Sequence, residues 1–165
     1  MITGFSKRLA TLAGCAFGGL AGGLAIALAL QSPAQAQAAY GSYIGIGPAV
    51  GFGDDGNFGV ALNGRYNVLE LPISIRGAAF FGDGSAFVPT ISYDFPLNFN
   101  TEIYLGAGVA FAGEGSVLGD GTAFAIQPGV DYTMDESNLV LYGNAIFAIG
   151  NDTSTAVQGG VGIQF

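Results

Sequence analysis

Histidine and tryptophan are absent from this 165-residue chain, and its single cysteine, Cys15, lies near the N-terminus. Without histidine no Ser-His-Asp or Cys-His catalytic group and no His-based metal site can be built, which also excludes a lipid-modifying barrel enzyme of the His-Ser type. Without a cysteine after Cys15 the rest of the chain forms no disulfide, so its stability comes from backbone pairing and burial. Cations are scarce too: only Lys7, Arg8, Arg65 and Arg76 are basic, and all twelve acidic residues lie beyond residue 36. With the first 36 residues removed the formal charge is −10, which argues against nucleic acid as a partner. Beyond about residue 31 no apolar run is long enough to span a membrane as a helix, which excludes a helical bundle.

What is abundant is glycine, 29 residues, in a chain that is half apolar and only 10% charged. Lys7 and Arg8 precede an apolar stretch, Leu9 to Leu30, followed by Ser32-Pro33-Ala34-Gln35-Ala36-Gln37-Ala38 with two small-x-small sites. That order predicts a helical secretory signal peptide over residues 1–36, cut after Ala36 or Ala38, and a mature domain over residues 37–165. Gly14, Gly18 and Gly22 at GxxxG spacing leave open an uncleaved, self-associating anchor. Leu12-Ala13-Gly14-Cys15 is similar to a lipoprotein box, but the apolar core follows Cys15 instead of preceding it.

From Tyr40 to Phe165 eight runs of about ten residues alternate bulky apolar with small or polar side chains, separated by Gly, Asp and Asn clusters. Period-two alternation is the mark of strands. Ile44, Ile46, Pro48, Val50 and Phe52 oppose Gly45, Gly47, Ala49 and Gly51, and the last run sets Val157, Val161, Ile163 and Phe165 against Gln158, Gly160, Gly162 and Gln164. The predicted fold is all-β: an eight-stranded antiparallel up-and-down transmembrane β-barrel. An interior of eight strands is just wide enough for side chains to fill, so eight bulky rows would overpack it while Gly, Ala and a few polar groups fit. The bulky rows therefore face lipid, and closure pairs the backbone groups inside the hydrocarbon. A secreted soluble barrel holding an apolar ligand is the alternative, and it requires those rows to point inward.

With odd runs ascending, Tyr40, Tyr66, Tyr93, Phe95, Tyr132 and Phe165 form a periplasmic aromatic girdle and Phe52, Phe58, Phe81, Phe87, Phe111 and Phe124 an external one; such girdles mark both interfaces of membrane barrels. Ile103-Tyr104-Leu105-Gly106-Ala107-Gly108-Val109 and Val161-Gly162-Ile163-Gln164-Phe165 resemble strands of the small outer-membrane β-barrel proteins, the group of the OmpA transmembrane domain and the opacity-type, porin-like proteins. That resemblance implies location in the outer membrane of a Gram-negative-type envelope, and recognition of Phe165 by the outer-membrane assembly machinery. Pro48, Pro89 and Pro128 lie inside runs and remove ladder donors, so a bulge or a locally opened pair is expected at each. The external loops, near Gly53 to Asn57, Gly82 to Ser85, Gly113 to Gly121 and Gly150 to Ser154, are short for such proteins.

The inward rows carry Arg65, Arg76, Asp94, Glu102 and Asp131, all in the periplasmic half, with Arg65 facing Arg76 and Asp94 facing Glu102 across their turns. They are expected to form a lumen charge network completed by Asn63, Tyr104, Gln127, Tyr142 and Asn144, because buried charges must be paired and hydrogen-bonded. The same network read as a gate would open a narrow water path if an Arg pair broke. Above it the inward residues are mostly Gly and Ala, with Phe80, Val88 and Ile146 as exceptions, which predicts a shallow apolar cup or a barrel that closes over small residues. Asp54, Asp55, Asp83, Glu114, Asp120 and Asp152 ring the outer rim; the spacing of a calcium loop is missing, so they read as a solvated, aggregation-resistant rim, with divalent cations bridging them to anionic lipid heads as the alternative. Gly51-Phe52-Gly53-Asp54-Asp55-Gly56 fits GxGxxG, yet no helix pattern follows and two carboxylates repel phosphate, so it reads as a hairpin turn. Asp135-Glu136 lies in a turn without the cleft that a paired-carboxylate hydrolase needs. The expectation is a non-enzymatic, cofactor-free barrel contacting outer-membrane lipid and structural in the envelope, with a low-conductance pore for small solutes as the alternative.

Overall fold

The computed structural model describes residues 41–165 except 53–56, 69–70, 135–136 and 152. The expected signal peptide and its cleavage sites, Tyr40, Asp54, Asp55, most of the GxGxxG segment, Asp135-Glu136 and Asp152 lie outside the described residues. Those described form strands and turns with no helix. The strands are β1 (Tyr43–Phe52), β2 (Phe58–Val68), β3 (Ile73–Phe81), β4 (Ser85–Pro96), β5 (Thr101–Ser116), β6 (Gly119–Thr133), β7 (Leu139–Ile149) and β8 (Ser154–Gln164). Each pairs antiparallel with its sequence neighbour, and β8 returns to β1 to close the barrel. The end bearing the β2–β3, β4–β5 and β6–β7 turns is termed lower, and the opposite end upper.

Orientation follows the period of two along the strands. Ile44, Ile46, Phe52, Phe58, Tyr66, Ile91 and Ile163 stand outside, each more than half exposed, while Gly45, Ala49, Ala61, Asn63, Ala78 and Ala156 turn inward. The bulky rows thus cover the outer wall, contrary to the arrangement a soluble ligand-binding barrel requires. Among the described inward residues the large apolar side chains of the strands are few, and Phe80, Val88 and Ile146 are at most 1% exposed. Small residues fill most of the remaining wall and leave room for Tyr43, Tyr104, Tyr142 and the inward charged groups.

The three prolines open the ladder without inserting a residue. Pro48 pairs in register with Val60 of β2, but on the β8 side the pairing stops at Ile46↔Val161 and resumes at Ala49↔Gln158. Pro89 pairs with Gly77 of β3, whereas its β5 side is interrupted between Phe87↔Phe111 and Thr90↔Gly108. Pro128 pairs with Leu105 of β5, and its β7 side is interrupted between Ile126↔Phe147 and Gly129↔Asn144. Each proline thus turns its missing N–H toward one neighbour, the local cost expected of a residue without a donor.

One expectation needs correction at the upper end. The stretch from Gly113 to Gly121, expected to be a loop, is mostly strand: the pairs Ala112↔Gly121 and Ser116↔Gly119 carry the β5–β6 hairpin to a two-residue tip, Val117-Leu118. The glycines that suggested a loop by composition do not prevent backbone pairing. Between those two pairs β5 has three residues against one on β6, so the ladder bulges, and a bulge bends and twists its strand. Gly115, Gly119 and Gly121 take positive φ of 74°, 73° and 90°, where a side chain would be strained. The bent hairpin brings Val117 and Leu118 to 6% and 3% exposure, against the alanines of the upper lumen.

Candidate functional site: the filled lumen

The interior has three layers. At the lower end Arg65 on β2 and Arg76 on β3 are register partners. Like charges directly opposite destabilise a sheet, so their pairing requires carboxylates between them. Asp94 on β4, Glu102 on β5 and Asp131 on β6 supply these, all at most 4% exposed like the arginines.

Each guanidinium touches all three acids. Arg65 Nη2 lies 2.7 Å from Glu102 Oε1 and 3.1 Å from Asp94 Oδ2, and its Nη1 lies 3.4 Å from Asp131 Oδ2. Arg76 Nη1 lies 2.9 Å from Asp131 Oδ2, with its Nη2 3.3 Å from Asp94 Oδ1 and 3.6 Å from Glu102 Oε1. The remaining donors are fixed by small hydroxyls: Arg65 Nε donates to Ser74 Oγ at 3.0 Å and Arg76 Nε to Ser92 Oγ at 2.9 Å. Both serines in turn donate to Asp94, Ser92 at 2.7 Å. Tyr43 donates to Asp131 Oδ1 at 3.0 Å, and Arg76 Cζ lies 3.3 Å over the Tyr104 ring, a cation–π contact in a dry setting.

The expected facing of Asp94 and Glu102 is shifted by two residues. Asp94 stands opposite Tyr104, and Glu102 is opposite Pro96 on one side and Asp131 on the other. The turn is responsible: Asn98 Oδ1 accepts from the backbone N–H groups of Asn100 and Thr101 at 2.9 and 2.8 Å, closing a tight Asx turn at Leu97–Asn100 that sets the register.

Above the ions lies a layer of neutral hydrogen bonds. Asn63 and Gln158 exchange amide bonds at 2.8 and 3.1 Å, Gln158 donates to Asn144 Oδ1 at 2.9 Å, and Asn63 donates to Tyr142 Oη at 3.1 Å. Thr90 donates to Gln127 Oε1 at 2.7 Å. The Tyr142 ring stacks on Tyr43 with centroids 5.8 Å apart. Room for these rings comes from glycine: a Cβ at Gly45 would lie 2.5 Å from the Tyr142 ring, and one at Gly160 would lie 2.6 Å from its hydroxyl. The third layer is apolar, formed by Ala49, Ala61, Ala78, Phe80, Ala86, Val88, Ala110, Ala125, Ile146, Ala148 and Ala156 under the Val117-Leu118 tip.

All five charged and five polar residues singled out from the sequence lie in this lumen. Sequence reasoning did not place Tyr43, Ser74, Thr90, Ser92 and Gln158 in the network, although the last four stand on inward rows and Tyr43 continues the row of Gly45 and Gly47. It also missed Val117-Leu118, whose signal is a bulky apolar pair inside a Gly/Asp/Ser stretch.

On the outer wall Phe52, Phe58, Phe81, Phe87, Phe111 and Phe124 are all about half exposed or more and sit toward the upper end. Tyr66, Tyr93, Tyr132 and Phe165 are exposed toward the lower end, with Phe95 partly covered and its ring 4.6 Å from that of Tyr93. Asp83 stands on the β3–β4 turn and Glu114 and Asp120 on the upper ends of β5 and β6, and among the described residues no group of three or more acidic side chains is arranged to hold a metal ion.

No protein-family model matches the sequence, and neither does any curated protein. Solved structures do resemble the fold. A de novo designed transmembrane β-barrel superposes with a TM-score of 0.58 at 14% identity, over 77% of this chain and 98% of the design. Ail, the attachment invasion locus protein of Yersinia pestis, gives 0.54 at 20% identity, over 77% of this chain and all of Ail. The N-terminal β-barrel domain of Pseudomonas aeruginosa OprF gives 0.52 at 16% identity, over 74% and 97% of the two chains. At these identities the likeness is one of fold, that of the small eight-stranded outer-membrane barrels.

Proposed function

We propose that this chain, which has the fold of the small outer-membrane barrels, is a non-enzymatic outer-membrane protein that serves the envelope as a solute-tight structural element. The observation that carries this reading is the orientation of the wall: isoleucine, valine, leucine and phenylalanine cover the outside of a closed sheet whose centre is filled. An apolar surface of that extent is untenable in water, and a closed barrel satisfies its backbone groups inside a bilayer. The two sets of aromatic residues would sit at the two interfaces. Phe165, 74% exposed after β8 and held by its backbone N–H to Ser42 O at 2.9 Å, stands free for the assembly machinery. Export through residues 1–36 and cation bridges at the acidic rim belong to the same proposal.

Solute tightness is supported by the sequence of fillings, since an ion entering from below meets the Arg-carboxylate cluster, then the neutral hydrogen-bonded layer and then the packed apolar layer. Outer-membrane fractions run boiled and unboiled on a detergent gel test the first half of the reading: the unboiled protein should migrate differently, and release without detergent would overturn it. Planar bilayers test the second. Wild type should be electrically silent and Arg76→Ala should stay silent, because the apolar layer remains. A conducting Arg76→Ala trace would favour a gated pore instead.

A further inference from the structure

The β5–β6 hairpin is built unlike the other upper connections. Its neck, Gly113 to Gly115 on one strand and Asp120 to Gly121 on the other, is exposed on every residue, while the tip beyond it is buried. A segment whose neck is in solvent and whose only burial is at the tip is held by a small, separable set of contacts, and such segments open at lower free energy than the body they sit on. Among the described residues its side-chain hydrogen bonds to the rest of the barrel come from Asn57. Asn57 Nδ2, on the β1–β2 connection across the mouth, donates to Gly115 O at 3.1 Å and Ser116 O at 3.2 Å. Within the tip, Ser116 Oγ donates to Gly119 O at 2.7 Å and accepts from Leu118 N at 3.2 Å, so the two apolar residues move as one turn. Backbone packs close beneath it: a Cβ at Gly51 would run into the Val117 carbonyl, and one at Gly84 would run into the Glu114 carbonyl. The neck has three glycines, Gly113, Gly115 and Gly121, and a bulged ladder, which gives it the freedom to pivot.

We propose that Val117-Leu118 is a hinged lid over the external mouth of the lumen, latched by Asn57 and pivoting on the Gly113–Gly121 neck. Closed, it shields the alanine layer from water; lifted, it exposes that layer together with Phe80, Val88 and Ile146. The proposal concerns the barrel itself and is read equally in detergent micelles, so it stands apart from the question of membrane location.

Thiol labelling tests it, because Cys15→Ser leaves the full chain free of cysteine. In that background Leu118→Cys and Val117→Cys should react with a membrane-impermeant maleimide at least tenfold more slowly than Asp120→Cys. Adding Asn57→Ala removes both latch bonds and should speed labelling at Leu118→Cys by on the order of tenfold, with the mobility of the unboiled barrel and its urea midpoint unchanged. Leu118→Cys labelling as fast as Asp120→Cys would show that no closed lid exists. Labelling that keeps pace with global unfolding and ignores Asn57→Ala would show a fixed plug and overturn the hinge. Val117→Cys guards against one cysteine disturbing the tip by itself.

Discussion

The lower and upper halves of the lumen are enclosed by the same eight strands and filled on opposite principles. Below, two arginines and three carboxylates each need all the others, and their geometry is held by Ser74, Ser92 and Tyr43. Above, alanines and three larger apolar groups fill by size alone. In the lower half the partners are specified atom by atom, because an unpaired ion there is costly. In the upper half any small apolar side chain satisfies the wall, so the demand is on volume. The lower filling constrains which residues must meet, and the upper constrains only how much volume they occupy.

Breaking that contrast starts with the ions. Arg76→Ala leaves Asp131, Asp94 and Glu102 sharing one guanidinium, and should lower unfolding stability in lipid vesicles by about 3 to 5 kcal/mol. A combined Arg65→Met, Arg76→Met, Asp94→Asn, Glu102→Gln, Asp131→Asn variant should lose less than that single change, which urea titration of both barrels would reveal. A smaller effect is expected above: Ile146→Ala removes a fully buried side chain and should cost about 2 to 4 kcal/mol in the same titration, with Ile146→Val within about 1 kcal/mol of wild type. The smallest should come from the neutral layer between the halves. Thr90→Val deletes the 2.7 Å bond to Gln127 and should cost about 1 kcal/mol, less than either outer layer.

Legibility in the sequence divided along similar lines. The wall was readable because its period of two runs through every strand, and the direction of the rows follows from the width of an eight-stranded tube. The charged residues were readable as a set because ions on inward rows must meet. Their pairwise facing was not: the Asx turn at Asn98 moved Glu102 two residues from Asp94, and turn geometry is only weakly encoded by composition. The upper hairpin was read as a loop for a related reason. Its glycines carry no alternation to read, yet Gly119 and Gly121 pair across the hairpin, and the burial of Val117 and Leu118 depends on a bend that begins five residues away at Ala112.

The three prolines have a mechanical consequence. Their interrupted pairings fall at β8–β1, β4–β5 and β6–β7, while the ladders from β1 to β4, within β5–β6 and within β7–β8 show no such proline gap. Each of these three ladders therefore has one weak point, flanked on both sides by paired residues. A wall with missing ladder bonds at these three places yields there first, as a hinge does, so lateral pressure on the barrel would be taken up at the prolines before the fully paired ladders distort.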